Sequence, residues 1–147
     1  MTDPSSTVYL ISCVGKKLTT PTRAQGLYVS SWFLKVRDYI GTTRGPWFIL
    51  SAEYGLVSPD RVVAPYDRTL NTMRKPDRQA WAVRVRDQME HSLPVTDRIV
   101  VLAGRRYREF LMDYLRQRAR TVEVPMEGLG IGKQLHFLSE ALNHAHL

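Results

Sequence analysis

Four short runs of apolar and β-branched residues alternate with longer segments of helical periodicity, and this alternation limits the possible folds more than any other feature. The runs lie at residues 8–12, 47–51, 98–103 and 121–124. The first, VYLIS, has the uninterrupted apolar character of a strand buried on both faces. Parallel neighbours need crossover connections, and crossovers are right-handed. We therefore expect an α/β fold, a three-layer α/β/α domain with a small, mostly parallel, four-stranded sheet.

The segments between these runs have the apolar spacing of helices that pack on a sheet. Residues 24–40 predict one helix, or two short helices broken near Ser30 and Ser31. Residues 76–92 predict a helix with Pro76 and Asp77 in its first turn, and residues 105–118 and 133–145 predict two more. The 147 residues suit a single domain, in which residues 1–7 are polar and expected to be frayed.

The charge balance favours anionic partners. The formal net charge is +7, and arginine is far more common than lysine, which suits phosphates or nucleic acid. Arginine-rich helices are also common in proteins from high-GC genomes, and the basic residues are spread over most of the chain, so a solvated basic surface remains an alternative. No segment has the roughly 20 consecutive apolar residues of a membrane span, and the N-terminus lacks the features of a secretory signal. A cytoplasmic location without a membrane partner is expected.

Metal and disulfide chemistry are not indicated. The single cysteine, Cys13, rules out an internal disulfide and fits a reducing compartment. The four histidines form no group with acidic residues or cysteine at ligand spacing. We expect neither a metal nor another cofactor.

Ligands of such sheets bind outside the carboxyl ends of the strands, so the four loops there are the candidate site. After the first strand, Lys16 and Lys17 follow Gly15 and could present positive charge to a phosphate, or could belong to a solvated turn. Cys13 could be a nucleophile or a small residue at a buried strand end. After the third strand, Gly104 and Arg105 open a helix and predict a phosphate contact.

The long loop after the second strand combines carboxylates with aromatic residues. Glu53 could act as a general base or hold a ribose hydroxyl or a base amine. Tyr54 and Tyr66 could stack on a nucleobase and frame a base-sized slot, or could pack against the rim of the sheet. Asp67 is a second carboxylate, with a turn or helix cap as the alternative. Glu127 and Gly128, after the fourth strand, offer a third carboxylate and close backbone approach, or an ordinary turn.

The motifs SCVGKK, LYVSSWF, ILSAEYGLV, APYDRTLNTM, AGRRYREFL and PMEGLGIGKQL resemble a family of bacterial and phage proteins known as domain of unknown function 6884, over residues 8–138. The strand-end cysteine and lysine, the SA-x-YGL segment and the PY segment are also similar to domains of archaeosine-synthase-type tRNA-modifying proteins and of peroxide-stress DNA-binding proteins. Those domains have a fold like that of uracil-DNA glycosylases. The resemblance implies a nucleobase or nucleotide pocket surrounded by Ser12, Cys13, Lys16, Ser51, Tyr54, Gly55, Tyr66, Asp67, Gly104, Tyr107, Glu127 and Gly128. The glycosylases' own water-activating and histidine motifs are absent from the chain, so the resemblance does not carry their activity over.

These observations predict a nucleotide- or nucleic-acid-acting enzyme that makes or breaks an N-glycosidic bond or modifies a base. Lys16 and Arg105 would hold phosphate, and Asp67 or Glu127 would act as acid or base. Lys17 would add to the positive charge. The alternative is a non-catalytic DNA- or RNA-binding module, for which affinity should depend steeply on salt.

Overall fold

The computed structural model describes residues 6–12, 15–43 and 45–145. The elements of these ranges are, in order, β1 (Thr7–Ser12), β2 (Thr22–Arg23), α1 (Ala24–Leu27), α2 (Ser31–Thr43), β3 (Trp47–Ser51), β4 (Gly55–Val57), β5 (Val62–Val63), a 3₁₀ turn (Leu70–Thr72), α3 (Lys75–Ser92), β6 (Arg98–Leu102), α4 (Arg105–Arg108), α5 (Met112–Arg118), β7 (Thr121–Glu123) and α6 (Ile131–Ala145). The alternation of strands and helices confirms the α/β class. β1 begins at Thr7, inside the segment predicted to be frayed, because Thr7 pairs with Arg98.

The main sheet has five strands in the order β4-β3-β1-β6-β7. The pairings of β1 with β3, β1 with β6 and β6 with β7 are parallel, whereas β4 runs antiparallel to β3. The sheet is therefore mixed, and the predicted number of four strands was wrong. The fifth strand exists because Ser51 pairs with Gly55 across a tight turn, and because Gln88 Oε1 of α3 accepts the Leu56 N–H at 2.7 Å. A separate two-stranded ladder joins β2 to β5.

The helices cover both faces of the sheet. β1 connects through α1 and α2 to β3, and β6 connects through α4 and α5 to β7 in the opposite direction along the sheet. Right-handed crossovers that run in opposite directions lie on opposite faces. On the α2 face, α6 packs against α2, with Trp32 Nε1 donating to Gln134 Oε1 at 2.7 Å. On the other face, the Tyr114 hydroxyl of α5 donates to Glu90 of α3.

Two predicted helices are interrupted in the structure. The alternative of two helices for residues 24–40 is confirmed, with α2 starting where Ser30 Oγ accepts the Phe33 N–H at 3.2 Å. Residues 105–118 were predicted as one helix but form α4 and α5. The Leu111 N–H bonds to the Arg108 carbonyl at 2.9 Å, a tightened turn that lets the fully buried Leu111 reach the core.

The core is one cluster of buried apolar side chains contributed by the sheet and by helices of both faces. In β1, Val8, Leu10 and Ile11 are completely buried, and each such side chain contributes roughly 2 kcal/mol of hydrophobic stabilisation. β1 and β3 both end in a completely buried serine, Ser12 and Ser51. Buried hydroxyls need partners, and their partners lie in the loops of the candidate site. Across the described ranges, no helix combines the length and the apolar surface that crossing a bilayer requires.

Candidate functional site

The carboxyl ends of β1, β3, β6 and β7 lie at the same edge of the sheet, because these strands are parallel to one another. Connections leave this edge in opposite directions after β1 and after β6, and a crevice forms where the direction changes. The two strand ends are tied together there, since Ser12 Oγ accepts the Gly104 N–H at 3.4 Å. Ser12 is completely buried, so it positions the loop rather than contacting a ligand.

Ser51 organises the loop that follows β3. Its Oγ accepts the N–H groups of Glu53 at 3.2 Å and Tyr54 at 3.0 Å, and it donates to the Tyr66 hydroxyl at 2.8 Å. One completely buried side chain thus joins the start of the loop to a residue fifteen positions later. Ser51 was predicted to bind substrate, but the structure makes it an anchor beneath the site.

Tyr54 and Tyr66 do not form the two walls of a slot. Their ring centroids are 5.6 Å apart with an interplanar angle of 82°, an edge-to-face contact that leaves no room for a base between them. The Tyr54 hydroxyl donates to the Ala64 carbonyl at 3.0 Å, and the Tyr66 hydroxyl lies 2.7 Å from that of Tyr28. The prediction of a base-sized slot between these rings was wrong, because both rings pack on each other at the rim of the sheet.

A first concavity, the lysine concavity, lies at the end of β1 and has a volume of about 470 Å³. Residues 15–19 and 65–67 line it, so the predicted site residues Lys16, Lys17, Tyr66 and Asp67 do come together. Lys17 Nζ lies 4.6 Å from the Tyr66 ring centroid, which is a cation–π contact. Lys16 and Asp67 are exposed, and neither makes an ion pair with any described residue. This concavity therefore offers a ligand two ammonium groups, one of which lies over the Tyr66 ring, and one carboxylate.

A second concavity, the arginine concavity, lies between the ends of β6 and β7 and has a volume of about 260 Å³. Its lining includes the predicted residues Gly104, Arg105, Glu127 and Gly128. Gly128 has a φ of 81°, a conformation that L side chains rarely adopt, so the turn that carries Glu127 depends on this glycine. The structure thus groups these four residues together, but in a different concavity from Lys16 and Asp67.

The wall of the arginine concavity is fixed by hydrogen bonds from α6. Gln134 Nε2 donates to the Leu129 carbonyl at 2.7 Å, while its Oε1 accepts the Trp32 indole N–H at 2.7 Å. Both Trp32 and Gln134 line the concavity. The turn from Met126 to Leu129 and the edge of an aromatic ring are therefore held in place before any ligand arrives.

Arg108 is a residue of this concavity that the sequence interpretation missed. It lines the concavity with Arg105, and the two lie on one side of α4 because residues three apart share a helix face. Arg108 Nε is buried and has no hydrogen-bond partner within the described part of the chain. Arg106, between them, lies 3.9 Å from Glu109 instead. The spacing of Arg105 and Arg108 was the available signal, but three arginines close together obscured it.

The remaining predicted residues lie outside both concavities. Glu53 pairs with Arg68 at 3.5 Å, and Gly55 starts β4 with a φ of 76°. A Cβ on Gly55 would lie 2.2 Å from Gln88 Oε1, so the structure itself explains why glycine occupies this position. Tyr107 is buried, and its hydroxyl accepts the Leu70 N–H at 3.4 Å. Cys13 lies outside the described residues. Among those that are described, no three His, Cys, Asp or Glu side chains are grouped as metal ligands would be.

Comparison with known proteins agrees with the resemblance to domain of unknown function 6884 that was inferred from the motifs. An uncharacterized protein, YfjM, of Bacillus subtilis (strain 168) is 29% identical over 145 residues, which cover 93% of this chain and 95% of that protein. The family model described as Family of unknown function (DUF6884) matches residues 8–140, from the second residue of β1 into α6. Both concavities fall inside the matched segment. The chain belongs to the Family of unknown function (DUF6884).

Proposed function

We propose that this protein is a nucleotide- or nucleic-acid-acting enzyme that binds a nucleotide at the carboxyl edge of its sheet. The observation that carries the proposal is the arginine concavity. Arg105 and Arg108 line it together, and neither pairs with an acid anywhere in the described ranges. Guanidinium groups are well suited to phosphate because their planar fork can donate two parallel hydrogen bonds.

The size of the concavity limits what it can hold. Small-molecule pockets range from roughly 300 to 1,000 Å³, so a volume of about 260 Å³ suits one base or one sugar phosphate rather than a dinucleotide. Trp32, which is 5% exposed, offers an aromatic edge at the wall. The resemblance of the motifs to uracil-DNA-glycosylase-like domains, which implies a nucleobase pocket that includes Gly104, Glu127 and Gly128, supports this placement.

The chemistry we propose is cleavage or formation of an N-glycosidic bond, or modification of the base. In cleavage, water attacks C1′ of the sugar, the C1′–N bond breaks, and the leaving base takes up a proton. Glu127 in the arginine concavity or Asp67 in the lysine concavity would accept the proton of the water. Lys16 would stabilise negative charge that develops near the carboxyl end of β1.

The test is release of free base from nucleosides, nucleotides and oligonucleotides by the purified protein, measured by chromatography. We expect release to be lost in Glu127→Gln or Asp67→Asn, whichever carboxylate is the acid or base. Asp87→Asn, an exposed carboxylate on α3, is the matched control and should keep full activity. No release from any substrate by the folded protein would refute the enzymatic proposal.

One observation favours the alternative, a non-catalytic nucleic-acid-binding module. Asp67 and Glu127 are both exposed and line different concavities, whereas the general acids of enzymes are commonly shielded from water. Such a module would bind DNA or RNA without changing it. Its affinity should fall by about 0.7 to 0.9 log units per log unit of salt for each phosphate contacted. Affinity without turnover would favour this alternative, and flat salt dependence would exclude it.

A further inference from the structure

A third concavity, the Arg68–Arg84 concavity, lies beside the end of β3 and has a volume of about 530 Å³. Its lining includes the buried Ala52 and Trp81, which form an apolar floor, and Arg68 and Arg84 at the rim. Trp81 is held in place because its indole N–H donates to the Ser51 carbonyl at 2.9 Å. An anionic ligand with a flat or apolar portion would complement this surface.

Both guanidinium groups are oriented by the same residue. Arg68 Nε lies 3.5 Å from the Glu53 carboxylate, and Arg84 Nη2 donates to the Glu53 carbonyl at 2.7 Å. The Arg68–Glu53 pair is exposed and contributes little stability, so a phosphate can displace it. A guanidinium has five N–H donors, and only one of those on Arg84 is used by a described residue. The concavity therefore presents free donors in a fixed position.

The charge of the concavity suits a phosphodiester better than a terminal phosphate. The two guanidinium groups carry two positive charges and Glu53 carries one negative charge, which leaves a surplus of one positive charge. Asp77 does not reduce this surplus because it is paired with Arg74 at 3.7 Å. A phosphomonoester carries about −1.5 to −2 near neutral pH. Each phosphodiester of a polynucleotide carries one negative charge. An internal linkage of a nucleic acid matches the surplus more closely.

The three concavities follow one another along the sheet edge. Asp67 lines the lysine concavity and the next residue, Arg68, lines the Arg68–Arg84 concavity, so these two are neighbours. The hydrogen bond from the Gly104 N–H to Ser12 Oγ joins the end of β1 to that of β6, where the arginine concavity begins. From β3 to β7 there are three strand spacings, about 14 Å in all. That length accommodates more than one nucleotide.

We propose that the ligand of this edge is a single-stranded nucleic acid, and that Arg68 and Arg84 bind its backbone at a nucleotide beyond the lysine concavity from the one in the arginine concavity. This inference rests on the proposed function and names the substrate class of the same site. Single strands suit a row of separate concavities because their bases are unstacked and can enter one by one. Bases of a duplex remain paired and stacked and do not reach them.

The experiment compares affinities for a nucleoside monophosphate mixture and for fluorescein-labelled, mixed-sequence oligonucleotides of about 12 nucleotides, within the range of single-strand sites. Single-stranded DNA, single-stranded RNA and duplex DNA form separate arms, measured by anisotropy over a range of salt. The variant is Arg68→Ala/Arg84→Ala. Arg86→Ala is the matched control, because Arg86 is two residues from Arg84 on α3 and lies at a different concavity, beside Phe110.

We expect single strands of DNA or RNA to bind more tightly than monophosphates and than the duplex. The double variant should lose the tighter binding of single strands, and its log–log salt slope should fall by about 0.7, for the one phosphate contact removed. Arg86→Ala should keep both the tighter binding of single strands and the salt slope of the parent protein. Monophosphate binding with no gain from length, preference for the duplex, or a gain that survives in the double variant would overturn this inference and leave the proposed function standing. Binding of neither monophosphate nor oligonucleotide would overturn both.

Discussion

Removal of the Ser51 hydroxyl should loosen the loop that carries Tyr66 and Asp67. The substitution Ser51→Ala takes away three hydrogen bonds of a completely buried side chain. Two come from the backbone N–H groups of Glu53 and Tyr54, and the third is donated to the Tyr66 hydroxyl. Alanine fits the same space, so the change affects hydrogen bonding rather than packing.

The expected cost follows from the number of bonds. An intramolecular hydrogen bond contributes a net 0.5 to 1.5 kcal/mol, so three amount to about 3 kcal/mol. Glu53 and Tyr54 are only partly buried, and water can reach some of the freed N–H groups. We therefore expect a loss of about 2 to 3 kcal/mol. For a chain of this length, that lowers the melting temperature by roughly 6 to 9 °C.

Thermal unfolding followed by circular dichroism measures this loss. Ser58→Ala is the matched control, because Ser58 is exposed and its hydroxyl bonds to no described residue. Its melting temperature should change by about 1 °C. Tyr66→Phe removes one of the same bonds, so Ser51→Ala/Tyr66→Phe should cost less than the sum of the single variants. If Ser51→Ala and Ser58→Ala had the same melting temperature, the anchoring role of Ser51 would be refuted.

Three further predictions concern other parts of the structure. Gly55→Ala should destabilise by about 2 kcal/mol or more, because φ is 76° and the new Cβ would lie 2.2 Å from Gln88 Oε1. Arg78→Ala breaks the 2.9 Å ion pair with Glu109, whose two side chains are only 10% and 19% exposed, and should lower the free energy of unfolding by about 3 kcal/mol. Arg116→Ala breaks an exposed pair with Asp113 and should lower it by under about 1 kcal/mol. Burial raises the pKa of Tyr39 above its ordinary 10.0, so its contribution to stability is full below pH 10.0 and is lost as pH rises through the raised pKa. Tyr39→Phe should remove this alkaline loss.

Urea unfolding measures the change in the free energy of unfolding for each variant, and for Tyr39→Phe it is repeated at a series of pH values. A Gly55→Ala protein as stable as the parent would contradict the left-handed conformation. Equal costs for Arg78→Ala and Arg116→Ala would mean that burial of the first pair has no effect on stability. An unchanged alkaline decline in Tyr39→Phe would show that another group titrates there.

Local sequence patterns predicted the parallel part of the sheet well, because its strands are apolar and bounded by turn residues. The predicted runs at residues 8–12, 47–51, 98–103 and 121–124 differ from the observed strands by no more than one residue at either end. β4 was missed because three apolar residues in a long loop do not differ locally from loop residues. Gly55–Val57 becomes a strand only through its register with β3 and through the Gln88 side chain, and both of these are tertiary contacts.

The general location of the candidate site could be inferred, but the roles of its residues could not. The rule that ligands bind at the carboxyl ends of parallel strands placed Lys16, Asp67, Arg105 and Glu127 correctly at one edge. Which polar side chains support the loops and which remain free depends on partners distant in sequence. Arg105 and Arg108 differ from Arg106 in this respect, since Arg106 lies near Glu109 and the other two pair with no acid in the described structure.

The most direct test of the central claim is a titration of isotope-labelled protein with nucleoside monophosphates, followed by amide chemical shifts. If the carboxyl edge binds the nucleotide, the amides of Gly104, Arg105 and Gly128 should shift in a saturable manner. The amide of Thr121, at the opposite end of β7, should not shift. Shifts confined to that opposite edge, or none at high nucleotide concentration, would contradict the account.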